Sequence, residues 1–113
     1  MALDGCIRRA TLDSMNTLLQ TDEFRAWLGE LKDFRAKAVI FNRLDRATNG
    51  NFGDSKALGG GVSEIRIDFG PGYRIYYTRR AEIVYLLLVG GSKSTQSRDI
   101  QHAKTLLKSL PKE

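Results

Sequence analysis

The chain has 113 residues with 18 Lys and Arg against 13 Asp and Glu, a formal net charge of +5, so it is long enough for one domain and too short for two. A pI near 9.6 favours an anionic partner, nucleic acid first and an acidic protein second. One cysteine, Cys6, excludes an internal disulfide and fits a reducing cytoplasm, and the absence of an apolar run of about eighteen residues argues against a membrane span.

Residues 1–14 show no sustained period and lack the apolar core of a signal peptide, which predicts a poorly ordered extension, with Met15 as an alternative translation start and residues 15–113 as a single domain. Asn16 to Gln20 (NTLLQ) reads as a short strand. A capping signal at Thr21 and Asp22 opens a helix, because Phe24, Trp27, Leu28 and Leu31 recur at helical spacing and form one apolar stripe. Trp27 lies on that stripe and is read as a core anchor. Asp33 caps a second helix running to about Thr48, with Ala36, Ile40, Leu44 and Ala47 inward. On this helix Arg35, Arg43 and Arg46 fall within roughly 80° of one another, a basic stripe suited to phosphate contact.

The following NGNFGDSKALGGGVSE has loop chemistry and carries Lys56 toward the next element. Strict alternation around Gly70-Pro71-Gly72 then predicts an antiparallel hairpin. Ile65, Ile67, Phe69, Tyr73, Ile75 and Tyr77 take one face; Glu64, Arg66, Asp68, Arg74, Tyr76 and Thr78 take the other, which is expected to be polar and open. Pairing Phe69 with Tyr73 puts Asp68 opposite Arg74, Arg66 opposite Tyr76 and Glu64 opposite Thr78. Residues 83–89 (IVYLLLV) are apolar on both faces and predict a central strand. A Gly90-Gly91 turn leads through Ser92-Lys93-Ser94-Thr95-Gln96 into a last helix with Ile100, Ala103, Leu107 and Leu110 inward, ending near Pro111.

The glycines and Lys93 before that helix do not make a nucleotide-binding P-loop, because Ser92 stands where the lysine needs a preceding glycine. Backbone amides at the helix start, with Lys93, Ser94, Thr95 and Gln96, still suit an RNA phosphate. His102, the one histidine, is expected on the surface, and no residue pattern has metal-ligand spacing, so no metal or cofactor is predicted. Arg66, Arg74, Lys56 and Lys93 with Glu64, Tyr76 and Asp99 suit RNA phosphodiester cleavage. There the substrate's own 2′-OH attacks, and the protein positions it, neutralises charge and moves protons.

The run GNFGDSKALGGGVSEIRIDFGPGYRIYY, followed by LLLVGGSKSTQSRDIQHA, resembles the RelE/ParE superfamily of toxins, in its HigB-like addiction-module killer branch, over residues 21–110. The paired blocks GPGYRxYY and GGxKSTQxxDIxxA carry the resemblance. It implies an α+β fold: an N-terminal strand, a helical hairpin, a mainly antiparallel sheet of about four strands and a C-terminal helix. It also implies a toxin of a type II toxin-antitoxin module that cleaves mRNA at the ribosome, inhibits translation and is neutralised by an antitoxin from the adjacent gene, a helix-turn-helix HigA-like protein. By the resemblance Arg74 stabilises the phosphate, Glu64 and Arg66 fall on a pair of basic positions, Lys93 is the basic residue after the last strand, and Asp99 falls near the tyrosine of RelE-like members. Ser92 departs from the branch's usual Asp. With that tyrosine and the histidines of other HigB proteins missing, the general base is Glu64 or, second, Asp99. A ParE-like inhibitor of DNA gyrase without chemistry of its own, and an inactive partner-binding relative, are the competing readings of the same fold.

Overall fold

The structure, a computed structural model, describes residues 15–111; the 1–14 extension and residues 112–113 lie outside the described residues. The elements are β1 (Thr17–Gln20), α1 (Asp22–Glu30), α2 (Phe34–Thr48), β2 (Ser55–Gly59), β3 (Val62–Ile67), β4 (Tyr73–Ala81), β5 (Val84–Ser92), a 3-10 turn (Lys93–Thr95) and α3 (Gln96–Ser109). They form an α+β fold around one five-stranded mixed sheet of order β1-β5-β4-β3-β2. β1 runs parallel to β5 and every other pair is antiparallel.

The helix starts are chemically specified. The Thr21 hydroxyl accepts the Phe24 N–H at 3.0 Å and donates to the Leu88 carbonyl at 2.7 Å, which caps α1 and fastens it to β5. Asp33 accepts from the N–H groups of Arg35 and Ala36 and caps α2. Phe24, Leu28, Ala36 and Ile40 pack with Ile65, Ile67, Tyr73, Ile75 and Tyr77 on one face of the sheet. On the other face Ala103 of α3 packs with Val62, Tyr76, Leu88 and Val89. No helix among the described residues is long and apolar enough to cross a membrane.

Four features differ from the sequence reading. The sheet has five strands rather than about four, because Ser55–Gly59, read as loop, pairs with β3. Its backbone finds a partner even though the stretch around it has the glycines of a loop. The hairpin keeps its faces but shifts by two residues: Ile67 pairs with Tyr73, Arg66 stands opposite Arg74 and Glu64 opposite Tyr76. The connection is five residues long, with Gly72 N–H bonded to Phe69 C=O at 3.0 Å, and Gly70 and Gly72 both at positive φ. Finally, the face expected to be open is covered by α3, and Glu64, Arg74, Tyr76 and Thr78 are buried.

β5 also continues through Gly90 and Gly91 to Ser92 instead of turning at the glycines. A Cβ at Gly90 would stand 2.2 Å from the Trp27 ring, and one at Gly91 would stand 2.0 Å from the Asp99 carboxylate. The pair of glycines therefore lets a helix side chain lie on the strand from each face.

Candidate functional site

Glu64 is the centre of the buried polar cluster. Its side chain is 2% exposed, with Oε2 3.6 Å from Arg66 Nε and Oε1 3.9 Å from Arg74 Nε. Gln96, at the start of α3, donates to Oε1 at 3.0 Å. Arg74 also donates through Nη1 to the Tyr73 carbonyl at 3.1 Å. The carboxylate, at ion-pair rather than hydrogen-bond range, offsets the charge of two guanidiniums that the register places directly opposite each other. Both buried Nε atoms have no hydrogen-bond partner among the described residues. Glu64 thus holds the arginines, and it has no open side from which to take a substrate proton. Gln96 is engaged as its support.

The arginines open on a cleft of about 230 Å³ lined by Asp54, Arg66, Asp68, Gly72, Arg74 and Lys93. Lys93 is exposed, while its backbone N–H is bonded to the Gly72 carbonyl at 2.7 Å, so the turn after β5 is tied to the hairpin connection. Within that turn the Ser92 and Ser94 hydroxyls are 2.8 Å apart. The Thr95 hydroxyl accepts the Ser92 N–H at 3.4 Å and donates to the Asp99 carboxylate. A hydroxyl network thus closes the turn with serine at position 92. Asp99, which also faces Arg98 at 3.9 Å, lines a separate cavity of about 340 Å³ beside Trp27, Tyr73 and Gly91.

Of the residues singled out from sequence, the structure brings Arg66, Arg74 and Lys93 together around the cleft, with Glu64 behind them. Lys56 pairs in register with Glu64 but is exposed on β2 and does not line the cleft. Arg43 is committed to structure: Nη1 donates to the Arg66 carbonyl at 2.8 Å and Nη2 to the Phe52 carbonyl at 3.2 Å, tying α2 to the end of β3. Burial lowers its pKa from the ordinary value, with Asp54 opposing and Arg46 adding. Arg35 and Arg46 remain exposed on α2. His102 is half-exposed as expected and meets the Glu23 carboxylate at 2.8 Å. Two cleft residues absent from the sequence-derived site are Asp54 and Asp68, both exposed. Asp54 lies in the stretch read as loop, and the sequence alternation places Asp68 on the hairpin's polar face opposite Arg74 with no role of its own.

Tyr76 is wholly buried and its hydroxyl makes no hydrogen bond to a described residue. Burial pushes its pKa well above the ordinary value, and Glu64 and Asp99 push the same way while Arg74 opposes. A phenol in this setting stays protonated and out of reach of substrate. Because the unfolded chain ionises this group near pH 10 and the folded protein resists doing so, its contribution is intact below about pH 10 and lost as pH rises further, by up to about 1.4 kcal/mol per pH unit. Tyr76→Phe should blunt that alkaline loss and be neutral or stabilising by about 1 kcal/mol at pH 7, since it removes an unpaired buried hydroxyl. Denaturant unfolding at pH 7 and pH 11 measures both effects; a large loss of stability at pH 7 would show that the hydroxyl is satisfied.

No protein-family model matches the chain. A protein of Haemophilus influenzae, described as uncharacterized, is 48% identical over 87 residues, covering 77% of this chain and 88% of the relative. The chain belongs to that protein's family.

Proposed function

We propose that the protein is the toxin of a type II toxin-antitoxin module, a HigB-like member of the RelE/ParE superfamily, and that it is an endoribonuclease cleaving translated mRNA in the cytoplasm. The observation that carries this reading is the cleft itself. Two guanidiniums paired from behind with one buried carboxylate share a cleft of about 230 Å³ with Lys93, Asp54 and Asp68, so three cations converge where an RNA phosphate can dock. The strand, helical hairpin, sheet and final helix agree with the order that the sequence resemblance implies.

In this mechanism Arg74 and Arg66 bind the scissile phosphate and neutralise the charge that grows on its oxygens as the RNA 2′-OH attacks. Gln96 orients the Glu64 carboxylate, and that buried charge holds the two guanidiniums at the cleft before substrate arrives, which lowers the reorganisation left for the transition state. Lys93 protonates the departing 5′-oxygen. Arg35 and Arg46, exposed on α2 and outside the cleft lining, are a separate basic stripe that contacts RNA or ribosome away from the scissile phosphate. The partner is a helix-turn-helix antitoxin from the neighbouring gene, which covers or distorts the cationic cleft. The test is the fate of translated mRNA and the chemistry of its fragment ends, with the neighbouring reading frame co-expressed to relieve the effect.

A further inference from the structure

The cleft holds carboxylates as well as cations, and in a pocket built for an anion each carboxylate opposes binding unless it does something else. Glu64 is buried and committed to Arg66, Arg74 and Gln96. Asp99 accepts from Thr95 and lies outside the cleft lining. Asp54 lies 3.6 Å from Arg66 Nε, and its backbone carbonyl receives the Arg66 N–H at 2.8 Å. Asp68 alone among them is uncommitted: it is exposed, lines the cleft, and makes no hydrogen bond or ion pair to a described residue.

An aspartate at the start of a turn ordinarily uses its side chain to accept a backbone N–H two residues on. Asp68 does not; the connection is closed by backbone bonds, Phe69 N–H to Ile67 C=O and Gly72 N–H to Phe69 C=O. Its carboxylate is free of structural duty and sits at the mouth of a pocket shared with Arg66, Arg74, Lys93 and Asp54.

We infer that Asp68 is the general base of the reaction. This rests on the ribonuclease reading. The Asp68 carboxylate takes the proton of the 2′-OH, O2′ bonds to phosphorus, the P–O5′ bond breaks, and O5′ leaves as a hydroxyl with a proton from the Lys93 ammonium. The products are a 2′,3′-cyclic phosphate and a 5′-OH, and water returns the proton from Asp68 to Lys93.

Asp68→Asn tests the assignment on translated mRNA bound to programmed ribosomes. Single-turnover cleavage should fall at least about a hundredfold, the ordinary range for losing a general base. Between about pH 6 and 8.5 the wild type should be nearly flat, whereas the variant should rise about tenfold per pH unit as hydroxide replaces the carboxylate. A message with sulfur in place of the bridging 5′-oxygen, whose leaving group needs no proton, should rescue Lys93→Ala and leave Asp68→Asn slow. Asp54→Asn should slow cleavage less and keep the wild-type pH profile. Asp68→Asn cutting at the wild-type rate, its rescue by the sulfur substrate, or transfer of the hydroxide dependence to Asp54→Asn would overturn the assignment. Absence of cleavage by the wild type would instead overturn the ribonuclease reading.

Discussion

Arg74→Ala should reduce mRNA cleavage at least about a hundredfold, on the order of 3 kcal/mol of transition-state stabilisation. The guanidinium is one of two at the cleft, and in the proposed mechanism its removal takes away both charge and directed N–H donors where phosphorane charge would develop. The same change should also cost stability, because Arg74 is 8% exposed and packs beside the buried Glu64 carboxylate. Arg66 and Gln96 remain as partners of Glu64, which keeps that cost to about 2 kcal/mol, below the full penalty of an orphaned buried charge. In a domain of this size the melting temperature should fall by about 10 °C. Arg74→Lys separates the two effects. It keeps the charge beside Glu64 and recovers much of the stability, yet loses the planar fork and should remain at least about tenfold slow. Wild-type cleavage by folded Arg74→Ala protein, measured below its melting temperature, would remove Arg74 from the site.

Gly90→Ala should strongly destabilise the sheet. Its Cβ would meet three ring carbons of Trp27 at 2.2 to 2.5 Å, and neither the indole nor the central strand can yield without disturbing the core beside Phe24 and Tyr73. Overpacking of this kind costs about 3 kcal/mol or more, a fall in melting temperature of at least about 10 °C. Gly29→Ala is the counterpart: a Cβ there meets nothing within 4 Å, so the helix should gain about 0.5 to 1 kcal/mol. Trimming Trp27 to Ala should recover part of the loss in the Gly90→Ala background, a coupling that a double-mutant cycle reads directly. A Gly90→Ala protein melting with the wild type would contradict the close approach of Trp27.

Much of this fold is legible in the sequence because it rests on local chemistry. Thr21 and Asp33 announce their helices through capping, and the alternation on either side of Gly70-Pro71-Gly72 specifies which hairpin residues share a face. The register was not legible. A two-residue slip preserves every face, so only the length of the connection distinguishes the pairings. The burial of Glu64, Arg74 and Tyr76 was hidden for a related reason, since a charged alternating face reads as solvent-exposed until α3 is known to cross it. Gly90 and Gly91 look like a turn because their glycines serve Trp27 and Asp99, partners distant in sequence. For the site, Arg66, Arg74 and Lys93 were readable as a cluster, whereas the division of labour among carboxylates depends on which are buried and paired. Glu64, an expected proton acceptor, is a scaffold for two arginines; Asp68, read only as a polar-face partner of Arg74, is the cleft carboxylate left without an ion pair among the described residues.

The most direct measurement is the chemistry of RNA ends produced by the purified protein on programmed ribosomes, with growth and mRNA integrity followed in cells that express it with and without the neighbouring reading frame. The account predicts discrete cuts within translated message, 5′-OH fragments whose upstream ends carry a 2′,3′-cyclic phosphate or its 3′-phosphate product, and loss of both cleavage and growth arrest when the neighbouring protein is present. Fragments ending in 3′-OH, or intact mRNA together with inhibited DNA supercoiling, would contradict it.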